Sequence, residues 1–199
     1  MRYAQFGRTG VQVSELCLGT MTFGNEADEA ASGEIMDRAV EAGVNFFDTA
    51  DVYCGGLTEQ ITGRWLNGRR DRIVLASKVH YPTGNGVNDK GSSRIDVHPA
   101  YIERYKNPEY MEISTRFVAY AEEKALSPAA LSVAWVVEHP AVTSAIVGAR
   151  NVDQIDVALS SQDIPMDATM WGEITALSPK MPIATDREQG PFRGLSVKK

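Results

Sequence analysis

Apolar positions along this chain follow two alternating patterns. Short, mainly apolar runs occur at Leu16-Cys17-Leu18, Val44 to Phe47, Ile73 to Ala76 and Thr143 to Val147. Runs of this length fit strands buried on both faces, as in a parallel sheet. Between them the apolar spacing becomes helical. Residues 32–42 place Ile35, Met36, Ala39 and Val40 on one face, with Ser32 predicted as the cap and Gly43 as the stop. Residues 58–67 turn Ile61, Trp65 and Leu66 inward, with Thr58 predicted as the cap and Gly68 as the stop. Ahead of the first run, Tyr3 and Phe6 precede the turn Gly7-Arg8-Thr9-Gly10, which predicts a short hairpin. The order β, α, β, α, β argues for a parallel sheet with helices packed outside it.

The pattern breaks over residues 80–110. YPTGNGVNDKGSSR is rich in Gly, Asn and Ser, and IDVHPAYIERYKNPEY holds no sustained period. A structureless stretch of this length is unusual inside a compact domain. Helical spacing returns over 111–125 through Ile113, Phe117, Tyr120 and Ala121. Ser127-Pro128 then has the form of an N-cap followed by proline at the first helical position. That helix is expected to run to Glu138, before Pro140. Further helices are expected over 151–159 and 167–177, and an irregular arm from Pro179 onward.

Composition narrows the function. The chain has 199 residues, of which 43% are hydrophobic and 23% charged, with a net charge of −6. That fits one folded domain over 1–199 rather than a disordered segment. An acidic chain whose 20 Lys and Arg are scattered offers no basic stripe for nucleic acid. No apolar run approaches the roughly 18 residues that would predict a membrane span. The segment MRYAQFGRTG has no signal-peptide core, and Cys17 and Cys54 are too few for a disulfide framework. A reducing cytoplasm is therefore expected. The His, Cys and Asp spacings match no usual metal site, so no metal is expected.

Three residues stand where chemistry is expected. Asp48 ends one apolar run, Tyr53 lies five residues on in the following loop, and Lys78 closes the next run. Strand C-termini of a β/α barrel converge on one face, and active sites are built there. A phenol has an unperturbed pKa of about 10, and a neighbouring ammonium favours its ionised form. An aspartate keeps that ammonium charged and oriented. Taken singly, each of the three also suits a bland role: an aspartate capping a helix, a packing tyrosine, a solvated lysine. At successive strand ends they read as an acid–base unit.

The run DTADVY followed by Glu59 and Gly63 resembles the signature of the aldo-keto reductase family. LCLGTMTFG at 16–24, SKV at 77–79 and VTSAIVGARNVDQI at 142–155 resemble that family's first strand, catalytic-lysine strand and last strand. The resemblance implies a (β/α)8 TIM barrel that reduces aldehydes or ketones with NADP(H). Asp48, Tyr53 and Lys78 would be three members of its catalytic tetrad. Gly19, Thr20, Met21 and Asp48 would lie beside the nicotinamide side of the cofactor, and Gly148, Arg150 and Gln154 at the adenosine end. Arg150 favours NADP over NAD, since a guanidinium fork suits the 2′-phosphate and a helix start favours anions. Ala158 stands where many relatives carry asparagine.

Such a barrel needs eight strands and about 250 residues. Here strands 1–3 and 8 are recognisable, so the barrel is incomplete, with a gap or deletion expected within 80–111 and a seam near Arg94-Ile95. The family's tetrad histidine has no clear counterpart. His80 and His98 are weak candidates, and His139 reads as a capping or surface residue. Two rival readings remain: an NADP-binding sensor or regulatory subunit on the same scaffold, and an inactive fragment.

Overall fold

The computed structural model describes residues 1–79 and 107–179. Its centre is a four-stranded parallel sheet of β3 (Leu16–Gly19), β4 (Phe46–Asp48), β5 (Val74–Ala76) and β6 (Ala145–Val147). The order is β5-β4-β3-β6. Leu16 to Leu18 pair in parallel with Ala145 to Val147, so the first and last strands of the predicted barrel lie side by side as expected. On the other side, Leu18 pairs with Phe47, and Phe46 to Asp48 pair with Val74 to Ala76. A hairpin of β1 (Tyr3–Gln5) and β2 (Gln12–Ser14) precedes the sheet. It is tied to β4 by Asn45, whose side-chain oxygen accepts from the Ser14 N–H at 2.7 Å and whose amide donates to the Gln12 carbonyl.

Leu16, Leu18, Phe47, Ala145 and Val147 form one cluster with the helices α1 (Glu29–Glu41), α2 (Leu57–Trp65) and α5 (Val152–Leu159). The alternate positions Cys17, Phe46, Val74 and Ala76 group with Val13 of the hairpin. Phe6 meets Phe46 edge-on at 5.4 Å. The sheet thus carries an outer, helix-facing side and an inner side, as a partial (β/α)8 barrel requires.

Two helix caps differ from the expectation, and the helix expected over 111–125 begins earlier, at Pro108, because Asn107 caps it and proline suits the first helical position. The first helix is capped by Asp28, whose carboxylate accepts from the Ala31 N–H, and Ser32 sits inside it as a buried residue donating to the Asp28 carbonyl at 2.6 Å. The second starts at Gly56, which holds φ 94°, while the Thr58 hydroxyl donates to the Phe23 carbonyl. In both cases the hydroxyl is buried and finds a nearby carbonyl, so it serves packing rather than capping. Gly43, at φ 92°, ends α1 as predicted. Ser127 caps α4 (Pro128–Val137) as predicted, and Asn151 caps α5.

The chain divides into two compact units, Met1–Lys90 with Leu126–Met166, and Gly91–Ala125 with Asp167–Lys199. The strands and α1, α2, α4 and α5 belong to the first. In the second, α3 (Pro108–Glu123) and α6 (Ala168–Ala176) are joined by Tyr120, which donates to Glu173 at 2.6 Å, and by Arg116, which donates to the Leu177 carbonyl. Ala121 is fully buried, and Ile113, Phe117 and Tyr120 are half-buried, on the predicted face of α3. No helix among the described residues is long and apolar enough to cross a membrane. The expected gap at 80–111, with His80, His98 and the Arg94-Ile95 seam, falls largely or wholly outside the described residues.

Candidate active site

The sheet's hydrogen-bond ladder continues past the strand ends and fixes the backbone of the site. The Thr20 N–H donates to the Asp48 carbonyl at 3.0 Å, the Thr49 N–H to Ala76 at 2.9 Å, and the Asp51 N–H to Lys78 at 3.1 Å. Tyr53 opens a 3-10 turn, Tyr53–Gly56, that reverses the chain into α2. Within it Cys54 (φ 47°), Gly55 (φ 63°) and Gly56 (φ 94°) are successively left-handed. Cys54 alone of the three bears a side chain, and its thiol donates to the Gly24 carbonyl at 3.1 Å. That bond helps offset the cost of a left-handed backbone at a non-glycine residue.

This framework brings the three predicted residues together. The Lys78 ammonium donates to the Asp48 carboxylate, to the Tyr53 phenol oxygen at 3.0 Å, and to the Thr49 carbonyl at 3.0 Å. An ammonium has three donors, and all three are engaged. Partial burial works against the charge on Lys78, but the hydrogen bonds to Asp48 and Tyr53 more than offset it and hold the ammonium above its usual range. Because the phenol oxygen accepts from Lys78, the proton of Tyr53 is directed to a further acceptor. Ser77 donates to Glu59 at 2.6 Å, which ties the first turn of α2 to the end of β5. Burial, and then the negative charge of Asp48, pushes the Cys17 thiol up to about 12, so Cys17 is an unreactive neighbour.

The residues predicted for a dinucleotide lie at the same ends of the strands. Thr20 is fully buried, and its hydroxyl also donates to the Asp48 carbonyl at 3.1 Å, so its side chain braces β4. Met21 next to it is 43% exposed. At Gly19 a Cβ would come 2.8 Å from the Ile146 methyl Cγ2, so any side chain there would force that isoleucine to shift. Gly148 differs: a Cβ there would meet nothing closer than the Gly19 carbonyl at 3.9 Å. Internal packing therefore does not require glycine at 148, and a bare backbone there leaves room for an outside group. Arg150 sits at the start of α5, with its guanidinium 3.1 Å from the Glu26 carboxylate and half exposed. Gln154 turns its oxygen to the Arg150 N–H at 2.9 Å. A glycine-lined opening, a guanidinium and a helix start form a donor set that fits the phosphates of a nicotinamide dinucleotide.

Sequence reasoning missed the Thr49 carbonyl, a backbone acceptor with no signature of its own, and Glu26, one acid among many. It also missed Thr22, whose hydroxyl donates to the Ala149 carbonyl at 2.6 Å and joins the loop after β3 to the loop after β6. His139 is the sole histidine among the described residues. Its Nδ1 accepts from the Ala141 N–H at 3.1 Å, a local turn contact at the end of α4.

The site is therefore a lysine bonded at once to an aspartate and a tyrosine at the strand ends of a partial β/α barrel. A profile of the Aldo/keto reductase family matches residues 15–104 and 87–179, and the chain belongs to that family. It is 48% identical over 99 residues to an uncharacterized oxidoreductase, YrpG, of Bacillus subtilis, covering 45% of this chain and 30% of that protein. It is 43% identical over 101 residues to a probable voltage-gated potassium channel subunit beta of Oryza sativa, covering 49% and 30%. It is 41% identical over 100 residues to protein tas of Escherichia coli, covering 46% and 28%. The matched part is thus under a third of each of these relatives. The fold is similar to that of aldo-keto reductase AKR11C1 from Bacillus halodurans in its holo form, with a TM-score of 0.65 and 20% identity, covering 94% of this chain and 100% of that one.

Proposed function

We propose that this chain carries the acid–base half of an NADPH-dependent reduction of aldehydes or ketones to alcohols. The observation that carries the reading is the Lys78 ammonium shared between Asp48 and Tyr53. When bound, a nicotinamide dinucleotide supplies the hydride that reaches the carbonyl carbon. Tyr53 gives its proton to the carbonyl oxygen. The Lys78 ammonium, 3.0 Å from the phenol oxygen, stabilises the negative charge that develops there as the proton leaves. Asp48 and the Thr49 carbonyl keep Lys78 charged and aimed. Gly19, Thr20, Met21, Gly148, Arg150 and Gln154 would hold the dinucleotide across the strand ends, with Arg150 on the 2′-phosphate. The histidine that the family resemblance implies has no assigned counterpart, so Tyr53 and Lys78 carry the proton chemistry in this reading.

Tyr53→Phe removes only the hydroxyl and tests the proposal. Turnover of a generic aldehyde should fall by at least about a hundredfold, the usual scale of a general acid, while NADPH affinity stays within about twofold. Activity retained in Tyr53→Phe would move the acid elsewhere. A second reading, a cofactor-binding regulatory subunit, draws on the similarity to proteins named as potassium channel beta subunits. NADPH binding without turnover in the unaltered chain would favour it.

A further inference from the structure

We infer that Glu26 sets the cofactor preference of this site by holding Arg150 and so reducing the advantage that a 2′-phosphate has over a 2′-hydroxyl. The inference rests on the reading of Arg150 as the group that meets the adenosine end of the cofactor. Glu26 Oε2 lies 3.1 Å from Arg150 Nε, and the Glu26 side chain is only 13% exposed. Its carboxylate is therefore weakly screened by solvent and acts strongly on any further anion placed at the same guanidinium.

The pair is built in by the loops that carry it. The loop after β3 is closed by the Gly24 N–H to the Ala27 carbonyl at 2.7 Å and the Ala27 N–H to the Thr22 carbonyl at 3.0 Å. Phe23 and Ala27 anchor it in the core. The Thr22 hydroxyl then fixes this loop to Ala149, one residue before Arg150. Two chain segments more than a hundred residues apart are thus fastened so that Glu26 faces Arg150. The second donor at this point, the Arg150 N–H, is already taken by the Gln154 oxygen. Glu26 thus takes the Nε edge of the guanidinium and Gln154 the backbone N–H, which leaves the Nη edge of the fork for an incoming phosphate.

Two effects of Glu26 oppose each other. It orients the guanidinium, which helps a phosphate on the outer edge of the fork. It also neutralises that guanidinium and stands beside the phosphate dianion. Orientation survives in Glu26→Gln, whose amide oxygen still accepts from Nε, whereas the charge does not. The substitution therefore isolates the charge. A 2′-hydroxyl, by contrast, is uncharged and can donate to a carboxylate, as acidic residues do for NAD elsewhere.

Calorimetric titration of the full chain with adenosine 2′,5′-bisphosphate and with adenosine 5′-monophosphate tests this without reference to turnover. Glu26→Gln should tighten the bisphosphate by at least about tenfold, equivalent to about 1.4 kcal/mol, and change the monophosphate far less. Glu26→Asp, which keeps the charge and shortens the reach, should give a smaller gain and serves if Glu26→Gln does not fold. An unchanged or weakened bisphosphate affinity in the folded variants would overturn the role of Glu26. Arg150→Ala separates the two layers. If it leaves the bisphosphate unaffected, or if the unaltered chain and the Glu26 variants do not bind it at millimolar concentration, the phosphate reading of Arg150 fails instead.

Discussion

Lys78 commits every donor it has to the protein, and its stability follows from that. Burial opposes the ammonium, while Asp48 and Tyr53 favour it by hydrogen bonding, and the balance raises its pKa in the folded state. A group whose pKa is raised by folding stabilises the fold at every pH below its unfolded value, and that contribution is lost only as pH rises through the folded value. The Lys78 contribution should therefore be constant through neutral pH and disappear above the usual lysine range. Melting temperatures from pH 8 to 11 should fall more steeply at the alkaline end for the unaltered chain than for Lys78→Met. Parallel curves would mean that the lysine's bonds add nothing to stability. Asp48, Tyr53 and Lys78 were legible in the sequence because each stands at a strand end or five residues beyond one. The Thr49 carbonyl was not, since every residue has a carbonyl and only the turn of the chain selects this one. Arg150 was legible as a charge near an anion-favouring helix start, but its tie to Glu26 was not, because it joins loops more than a hundred residues apart.

Among the elements, strands were easier to foresee than helix starts. All four mainly apolar runs became strands of the sheet, with ends shifted by up to two residues, but only β3 and β4 are buried on both faces: β5 is half-buried and Ile146 of β6 is 61% exposed. Helix starts depend on which hydroxyl or carboxylate reaches the free N–H groups. Asp28 and Ser32 both suit a cap, and the choice fell to Asp28 because Ser32 lies on the buried face, where its hydroxyl needs a partner inside the helix. The carboxylate at the helix N-terminus also meets the positive end of the helix dipole. Asp28→Ala should thus cost about 1 kcal/mol in chemical denaturation, with Ser32 unable to compensate. A cost indistinguishable from zero would mean that the start of α1 is set by the buried loop before it rather than by its cap.

At the scale of the molecule, the β/α order and the neighbourhood of first and last strands were legible because each alternating unit adds one parallel strand beside the one before, and the matching ends imply closure. How the first helical units connect to the later ones was not, since residues 80–106 have no periodic signal from which a contact could be argued. The pairing of Leu16–Leu18 with Ala145–Val147 has a consequence in time. The paired residues are about 130 positions apart in sequence. At the roughly 5–20 residues per second of synthesis, β3 waits about 6–26 seconds for β6 to be made. During that interval a strand that is apolar on both faces has one edge open, and a long-range closure of this kind is intrinsically slow to form. Nascent chains halted before β6 has emerged should be cut by protease near Leu16–Gly19. Chains halted after Leu159 has emerged should resist. Equal resistance at both lengths would mean that the first three strands hold themselves together without the last, and the birth of this protein would need no protection from its surroundings.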